Sequence, residues 1–203
     1  MAISLFQRMT ERLFGGYENE KSSEILKHGT GRWTEGPTIP GEGIRYGCGV
    51  VISKDELLLI GGFKTEYRII KYNVRNDTWT NQPDLRTERN GHQCAWFQNQ
   101  IFISGGWQGL KSVDILTLDP VLFYNKGNAL NVGRHLHGFG LIHHQGKLTL
   151  TAFGGTGSNF NKLDSVEVFD DTTRTWKLST SLKLSEKKDA FQFLSVPSHI
   201  ICP

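Results

Sequence analysis

The sequence predicts an all-β fold assembled from four copies of one unit. Three observations carry that prediction. Paired glycines stand at Gly15-Gly16, Gly61-Gly62, Gly105-Gly106 and Gly154-Gly155, with spacings of 46, 44 and 49 residues, and self-similarity at such a period marks a repeat architecture. A large apolar residue and an aromatic follow each pair at matching offsets. Leu26, Tyr72 and Leu116 lie ten residues beyond the second glycine of the first three pairs, and Trp33, Trp79 and Phe123 lie 17 beyond it. Between these marks run only short strand-like segments, with no sustained 3.6-residue period.

The lead-in, residues 1–12, offers Ile3, Phe6 and Met9 on one helical face, so a helical turn or two is expected over Ile3 to Met9. The first copy, near 13–40, opens almost at its glycine pair, and only its third and fourth strands are expected. The second, near 45–85, shows the whole pattern: Gly49 to Ile52, Glu56 to Ile60, Arg68 to Tyr72 and Thr78 to Thr80. Leu57-Leu58-Leu59-Ile60 is apolar on both faces, as suits a strand enclosed between two sheets. The third copy, near 89–130, carries Phe123-Tyr124 where the others have Trp. In the fourth, near 134–184, both offsets lengthen by four, to Phe169 and Trp176, which a single insertion after Gly155 explains. Asn73 to Asp77 and Asp170 to Arg174 are polar turns before the fourth strands. Residues 188–203 read as two closing strands, Asp189 to Pro197 and Ser198 to Cys202.

The segments "LIGG", "ISGG" and "AFGG", with "IIKYNVRNDTWT", "SVEVFDDTTRTWKL" and "ERNGHQCAWF", resemble the kelch repeat family over Leu13 to Pro203. The resemblance implies a β-propeller in which each repeat is one four-stranded blade, here about four of them. The closing strands are then expected to join the first copy in one composite blade linking the two termini. The other reading is a truncated or open ring, since four blades sit at the low end for propellers. The residue physics agrees with the family. Glycines at the end of the second strand permit positive φ, and a fourth-strand Trp can bury roughly 150–250 Å².

Composition narrows the function. The chain has 203 residues, 37% hydrophobic, with 22 aromatics when 12 Phe, 5 Trp and 5 Tyr are added, which excludes disorder as the dominant state. A net charge of +3, with both signs scattered, argues against a nucleic-acid partner. No apolar run is long enough for a membrane helix, and no secretory leader is evident. Cys48, Cys94 and Cys202 are an odd, sparse set that argues against a disulfide scaffold. An intracellular, cytoplasmic protein is the default expectation.

No catalytic residue, cofactor or metal is expected. His135 and His137 are two apart, but His143 is roughly 20 Å further along an extended strand and no third ligand is evident. Asp171 to Trp176 lacks the Ser and Gly of the Asp-box of sialidase-type propellers. The enzyme alternative is a copper-radical oxidase-like propeller, for which Tyr46, Cys48 and the histidines are the required residue types. They occupy repeat positions rather than an evident constellation.

The resemblance implies a non-catalytic protein-interaction module, a scaffold or substrate-recognition adaptor that binds a peptide or loop at the channel mouth. The twelve residues ahead of the first copy leave no room for the oligomerisation domain or F-box of ligase adaptors. Arg45, Arg89 and Arg134 each precede an innermost strand, and Lys188 holds the equivalent place in the last copy. With Tyr67 and Trp107 on the loops after the glycine pairs, they form the expected partner-binding set. The cations favour an acidic peptide, because a guanidinium can hold a carboxylate bidentately. The competing role for the arginines is to pair with blade-edge carboxylates.

Overall fold

The computed structural model describes residues 3–7, 10–27, 30–119 and 121–190. These contain sixteen strands and no helix. They form four four-stranded sheets, each in chain order. The first holds β1 (Ile3–Gln7), β2 (Thr10–Phe14), β3 (Ser23–Lys27) and β4 (Arg32–Glu35). The second holds β5 (Cys48–Val51), β6 (Glu56–Ile60), β7 (Ile69–Asn73) and β8 (Thr78–Asn81). The third holds β9 (Gln93–Phe97), β10 (Gln100–Ser104), β11 (Val113–Asp119) and β12 (Val121–Gly127). The fourth holds β13 (Gly138–His144), β14 (Lys147–Phe153), β15 (Leu163–Asp170) and β16 (Thr175–Lys188).

Two expectations fail in the first sheet. Ile3 to Gln7 is a strand, not a helical turn, and pairs antiparallel with β2 from Ile3 opposite Phe14 to Gln7 opposite Thr10. A three-residue apolar spacing over one short segment does not by itself fix a helix, and the pairing with β2 decides the element. Among the described residues the N-terminal segment therefore supplies all four strands of this sheet, where only its third and fourth were expected, and no composite blade is seen. The closing strands, expected in the tail, fall on residues 191–203, which lie outside the described residues.

The seven-residue gap has a simple cause. Leu26 and Trp33, Tyr72 and Trp79, and Phe169 and Trp176 are direct cross-strand partners across tight turns. Cross-strand pairs are the unit of sheet stabilisation. The Tyr72 and Trp79 rings lie 4.5 Å apart, and those of Phe169 and Trp176 5.1 Å apart. Burial of the tryptophans is uneven. Trp176 is sealed in a core and Trp79 is half-buried, whereas Trp33 and Phe123 remain exposed.

The chain divides into two compact units, Met1–His92 with Leu116–Tyr124, and Gln93–Ile115 with Asn125–Pro203. The core of the first gathers Phe14, Ile39, Ile44, Leu57, Leu59, Ile70 and Tyr72. Phe14 meets Tyr72 and Trp79 edge-on, at 5.7 and 5.8 Å. Beside them Arg12 donates to the Tyr72 hydroxyl at 2.7 Å, and that hydroxyl donates to Asp77. Burial and the Asp77 carboxylate hold the Tyr72 phenol well above its ordinary pKa. The core of the second unit gathers Phe102, Val113, Leu130, Phe139, Leu150, Phe169 and Trp176 among others.

Candidate functional site

The glycine pairs set the geometry of the loops that follow them. In all four pairs the first glycine has φ between 58° and 67° and the second between 88° and 142°. The latter range is strained for any residue with a Cβ. The pair also lets a neighbouring segment approach closely. A Cβ on Gly105 would lie 2.1 Å from the Arg134 carbonyl oxygen, and one on Gly15 the same distance from that of Ile44.

The second glycine's amide reads out the repeat register. It donates to Ile44 in the first copy, Arg89 in the second, Arg134 in the third and Lys188 in the fourth, at 2.7 to 3.2 Å. Ile44, not Arg45, therefore shares the backbone position of Arg89, Arg134 and Lys188. Arg45 stands one residue further on, at the position of Asn90, His135 and Asp189. The glycines that follow Arg45, Arg89 and Arg134, namely Gly47, Gly91 and Gly138, suggest the other alignment in the sequence.

This displacement separates the expected partner-binding residues. Arg89 and Arg134 are fully buried. Arg134 donates to the carbonyls of Gly154 and Ser165, at 2.8 and 3.1 Å, and to Glu167 at 2.9 Å. Glu167 is itself fully buried and accepts from the amides of Asn131 and Val132, at 2.6 and 2.9 Å. A buried ion pair of this kind needs every lone pair satisfied to persist. Burial lowers the Arg134 pKa, with Glu167 opposing. These two arginines are internal, out of reach of a docked protein. Lys188 is exposed, 3.7 Å from Glu186.

Arg45 is placed differently. Its guanidinium carbon lies 4.2 Å from the centre of the Phe63 ring, 5.3 Å from that of Tyr17 and 5.5 Å from that of Tyr46. Glu20 accepts from it at 3.3 Å. Tyr17 and Phe63 occupy the first position after their glycine pairs, and both are exposed. Tyr67, 44% exposed, ends the same loop and donates from its hydroxyl to Glu88 at 3.0 Å.

The second unit repeats the arrangement around His135. Trp107, the residue after Gly106, lies 5.0 Å from the His135 ring and 5.8 Å from Phe160. Trp107 and Phe160 are 48% and 60% exposed, while His135 is buried beneath them. Burial lowers the His135 pKa, with Asp189 and the Thr156 carbonyl opposing. Asp189 is held by Thr156 at 2.9 Å and Lys162 at 2.8 Å. Phe160 escaped the sequence reading. It sits at a turn tip with φ of 57°, the tip reached by Glu18, Lys64 and Gln108 in the other copies. A large aromatic inside the polar run Gly157 to Asn161 was the signal available.

The residue types of the oxidase alternative are not assembled. Cys48 and Cys94 are disulfide-bonded, against the free thiols expected from the cysteine count. His137 meets Ser104 at 2.8 Å within the core. Among the described residues no three His, Cys, Asp or Glu side chains converge as a metal site would require. No helix among them is long and apolar enough to cross a membrane.

Comparison with known proteins agrees with the fold. Residues 44–86 match the model of the Kelch motif. The chain is 27% identical to human Kelch-like protein 6 over 116 residues, which is 56% of this chain and 18% of that protein. It therefore spans a small part of that relative's length. The solved structure of YjhT superposes with a TM-score of 0.74 at 14% identity, covering 94% of this chain and 72% of the other. With four registered glycine pairs, four four-stranded sheets among the described residues and these matches, the chain carries a kelch motif at residues 44–86 and has a β-propeller fold.

Proposed function

We propose that this chain is a non-catalytic protein-interaction module that docks a peptide or loop of a partner on the loops following its glycine pairs. One observation carries the reading. Both units present exposed aromatics there, Tyr17, Phe63 and Tyr67 in one and Trp107 with Phe160 in the other. Large exposed aromatics held on rigid turns make effective interface anchors, because little side-chain entropy is lost on binding. The similarity to human Kelch-like protein 6 supports a propeller of this kind. Arg45 belongs to the docking face through its aromatic neighbours, and exposed Lys188 accepts at its backbone carbonyl from Gly155, the second glycine of the fourth pair. An adaptor or scaffold role follows if the partner is itself delivered to a third protein.

A photo-reactive phenylalanine derivative placed at Tyr67 or at Trp107 tests the reading. It should cross-link a specific partner, while the same group at exposed Leu178 on β16 should not. Cross-links from Leu178 alone would move the interface to the outer strand. An intracellular site of action has the disulfide-bonded state of Cys48 and Cys94 against it. Titration of free thiols in protein purified under native redox conditions decides that question, since three reactive thiols would restore the cytoplasmic expectation.

A further inference from the structure

Two adjoining hollows mark the post-glycine face of the first unit. One, of about 380 Å³, is bounded by Glu18, Glu20, Glu42, Phe63 and Lys64 among others. The other, of about 940 Å³, is bounded by Glu42, Lys64, Glu66, Tyr67, Pro83 and Asp84 among others. Glu42 and Lys64 border both. Together the two linings hold five carboxylates (Glu18, Glu20, Glu42, Glu66 and Asp84) against three cations (Lys21, Lys64 and Arg68). One of those cations is already engaged within the lining, where Arg68 donates to the Pro40 carbonyl at 2.7 Å and feels the Asp84 charge. The local excess is negative in a chain whose net charge is +3. Glu88 adds a further carboxylate through its hydrogen bond from Tyr67, a bond that raises the Tyr67 pKa together with the nearby charges of Glu88 and Glu66.

Carboxylates alone would be a solvated surface. Here they line a groove with an exposed aromatic ring in its wall, and the same face already holds a guanidinium. Arg45 lies over Phe63 at 4.2 Å with Glu20 at 3.3 Å. A ring face and a carboxylate together hold a cation by complementary electrostatics. The Tyr67 side has both ingredients. Resting on the docking reading above, we infer that the groove beside Tyr67 receives an arginine- or lysine-rich segment of a protein partner. One cation lies against the Tyr67 ring and pairs with Glu42, Glu66 or Asp84. This differs from the acidic preference drawn from Arg45, Arg89, Arg134 and Lys188, of which Arg89 and Arg134 are sealed inside the protein.

Three labelled peptides of equal length, one rich in arginine, one with glutamine in its place and one with glutamate, test this against the full chain by fluorescence anisotropy. The arginine peptide should bind about tenfold or more tightly than the glutamine peptide. The advantage should shrink as salt rises. Glu42→Gln with Glu66→Gln and Asp84→Asn should abolish the advantage. Tyr67→Phe should keep it and Tyr67→Leu should reduce it. These positions are at the surface, and matching thermal transitions for each variant show that a lost advantage is not lost folding. Equal binding of the glutamine or glutamate peptide overturns the cation preference, as does undiminished arginine-peptide binding by the triple variant. Absence of binding by every peptide overturns it too. The docking reading itself stands or falls separately on the cross-links at Tyr67 and Trp107.

Discussion

Arg45 in the first unit and Arg134 in the second read as one repeat position in the sequence and do opposite things in the structure. Arg134 is a sealed cation that ties Gly154, Ser165 and Glu167 together. Arg45 is a half-buried cation spread over aromatic rings at a loop surface. One residue of register separates them, because Ile44 takes the slot that Arg134 fills. Successive residues of an extended chain point to opposite sides. A displacement by one therefore exchanges an internal fastener for a surface group. The two post-glycine faces differ in the same way. The first is acidic around Tyr67, and the second is aromatic over a buried imidazole.

The comparison can be broken most forcefully at Arg134. Arg134→Ala leaves Glu167 buried without its partner and should cost about 3–5 kcal/mol in urea denaturation, or prevent folding. Arg134→Met combined with Glu167→Leu should recover part of that loss, since no charge is orphaned, although the amides of Asn131 and Val132 and the carbonyls of Gly154 and Ser165 lose their partners. Recovery would show the pair to be internal fastening alone, and no recovery would point to the carbonyl contacts of Gly154 and Ser165 as the larger part.

Gly105→Ala is next in size. It places a Cβ against the Arg134 carbonyl at a positive φ, and should cost about 2 kcal/mol or more. Gly146→Ala has a similar φ of 77° but nothing within 4 Å. It should cost clearly less, so the difference between the two measures close approach apart from backbone strain.

His92 gives a pH-dependent effect. Burial, with the Arg89 charge second, pushes its pKa down to about 3, and the Ile60 carbonyl opposes only in part. The folded state therefore binds fewer protons than the unfolded one between pH 6.5 and about 3. The stability associated with neutral His92 is complete above pH 6.5 and falls as the pH drops through that window. The loss should reach about 2 kcal/mol between pH 6.5 and 5. His92→Asn should flatten the slope of the denaturation free energy against pH by that amount. An unchanged slope would assign the titration to other groups, His135 first.

The smallest effect belongs to Arg45. Its ion pair and ring contacts lie at the surface, so Arg45→Ala should cost about 1 kcal/mol or less. A loss as large as that of Arg134→Ala would erase the distinction between the two positions.

The repeat, its four copies and the all-β class were legible because glycine at positive φ and the seven-residue cross-strand aromatic pair are local demands. A few adjacent residues state them, and Tyr72 opposite Trp79 or Phe169 opposite Trp176 satisfies them within one hairpin. The aromatic loop positions were legible for the same reason, as Tyr67 and Trp107 follow directly from the glycine pairs. The first sheet was misread because Ile3 to Gln7 carries neither a glycine pair nor the seven-residue aromatic spacing that marks the other strands, and its place is decided by pairing with Thr10 to Phe14. The rim was misread because arginine burial is not a local property. Whether a guanidinium faces water or Glu167 depends on which neighbouring segment closes over it. That was decided by the hydrogen bonds from Gly16, Gly62, Gly106 and Gly155, which set the register in space. By itself the sequence determined the unit, its period and its turns. Only the tertiary structure decided which cations are fasteners and which are surface, because desolvation is set by every segment that packs against a group and not by the residues beside it in the chain.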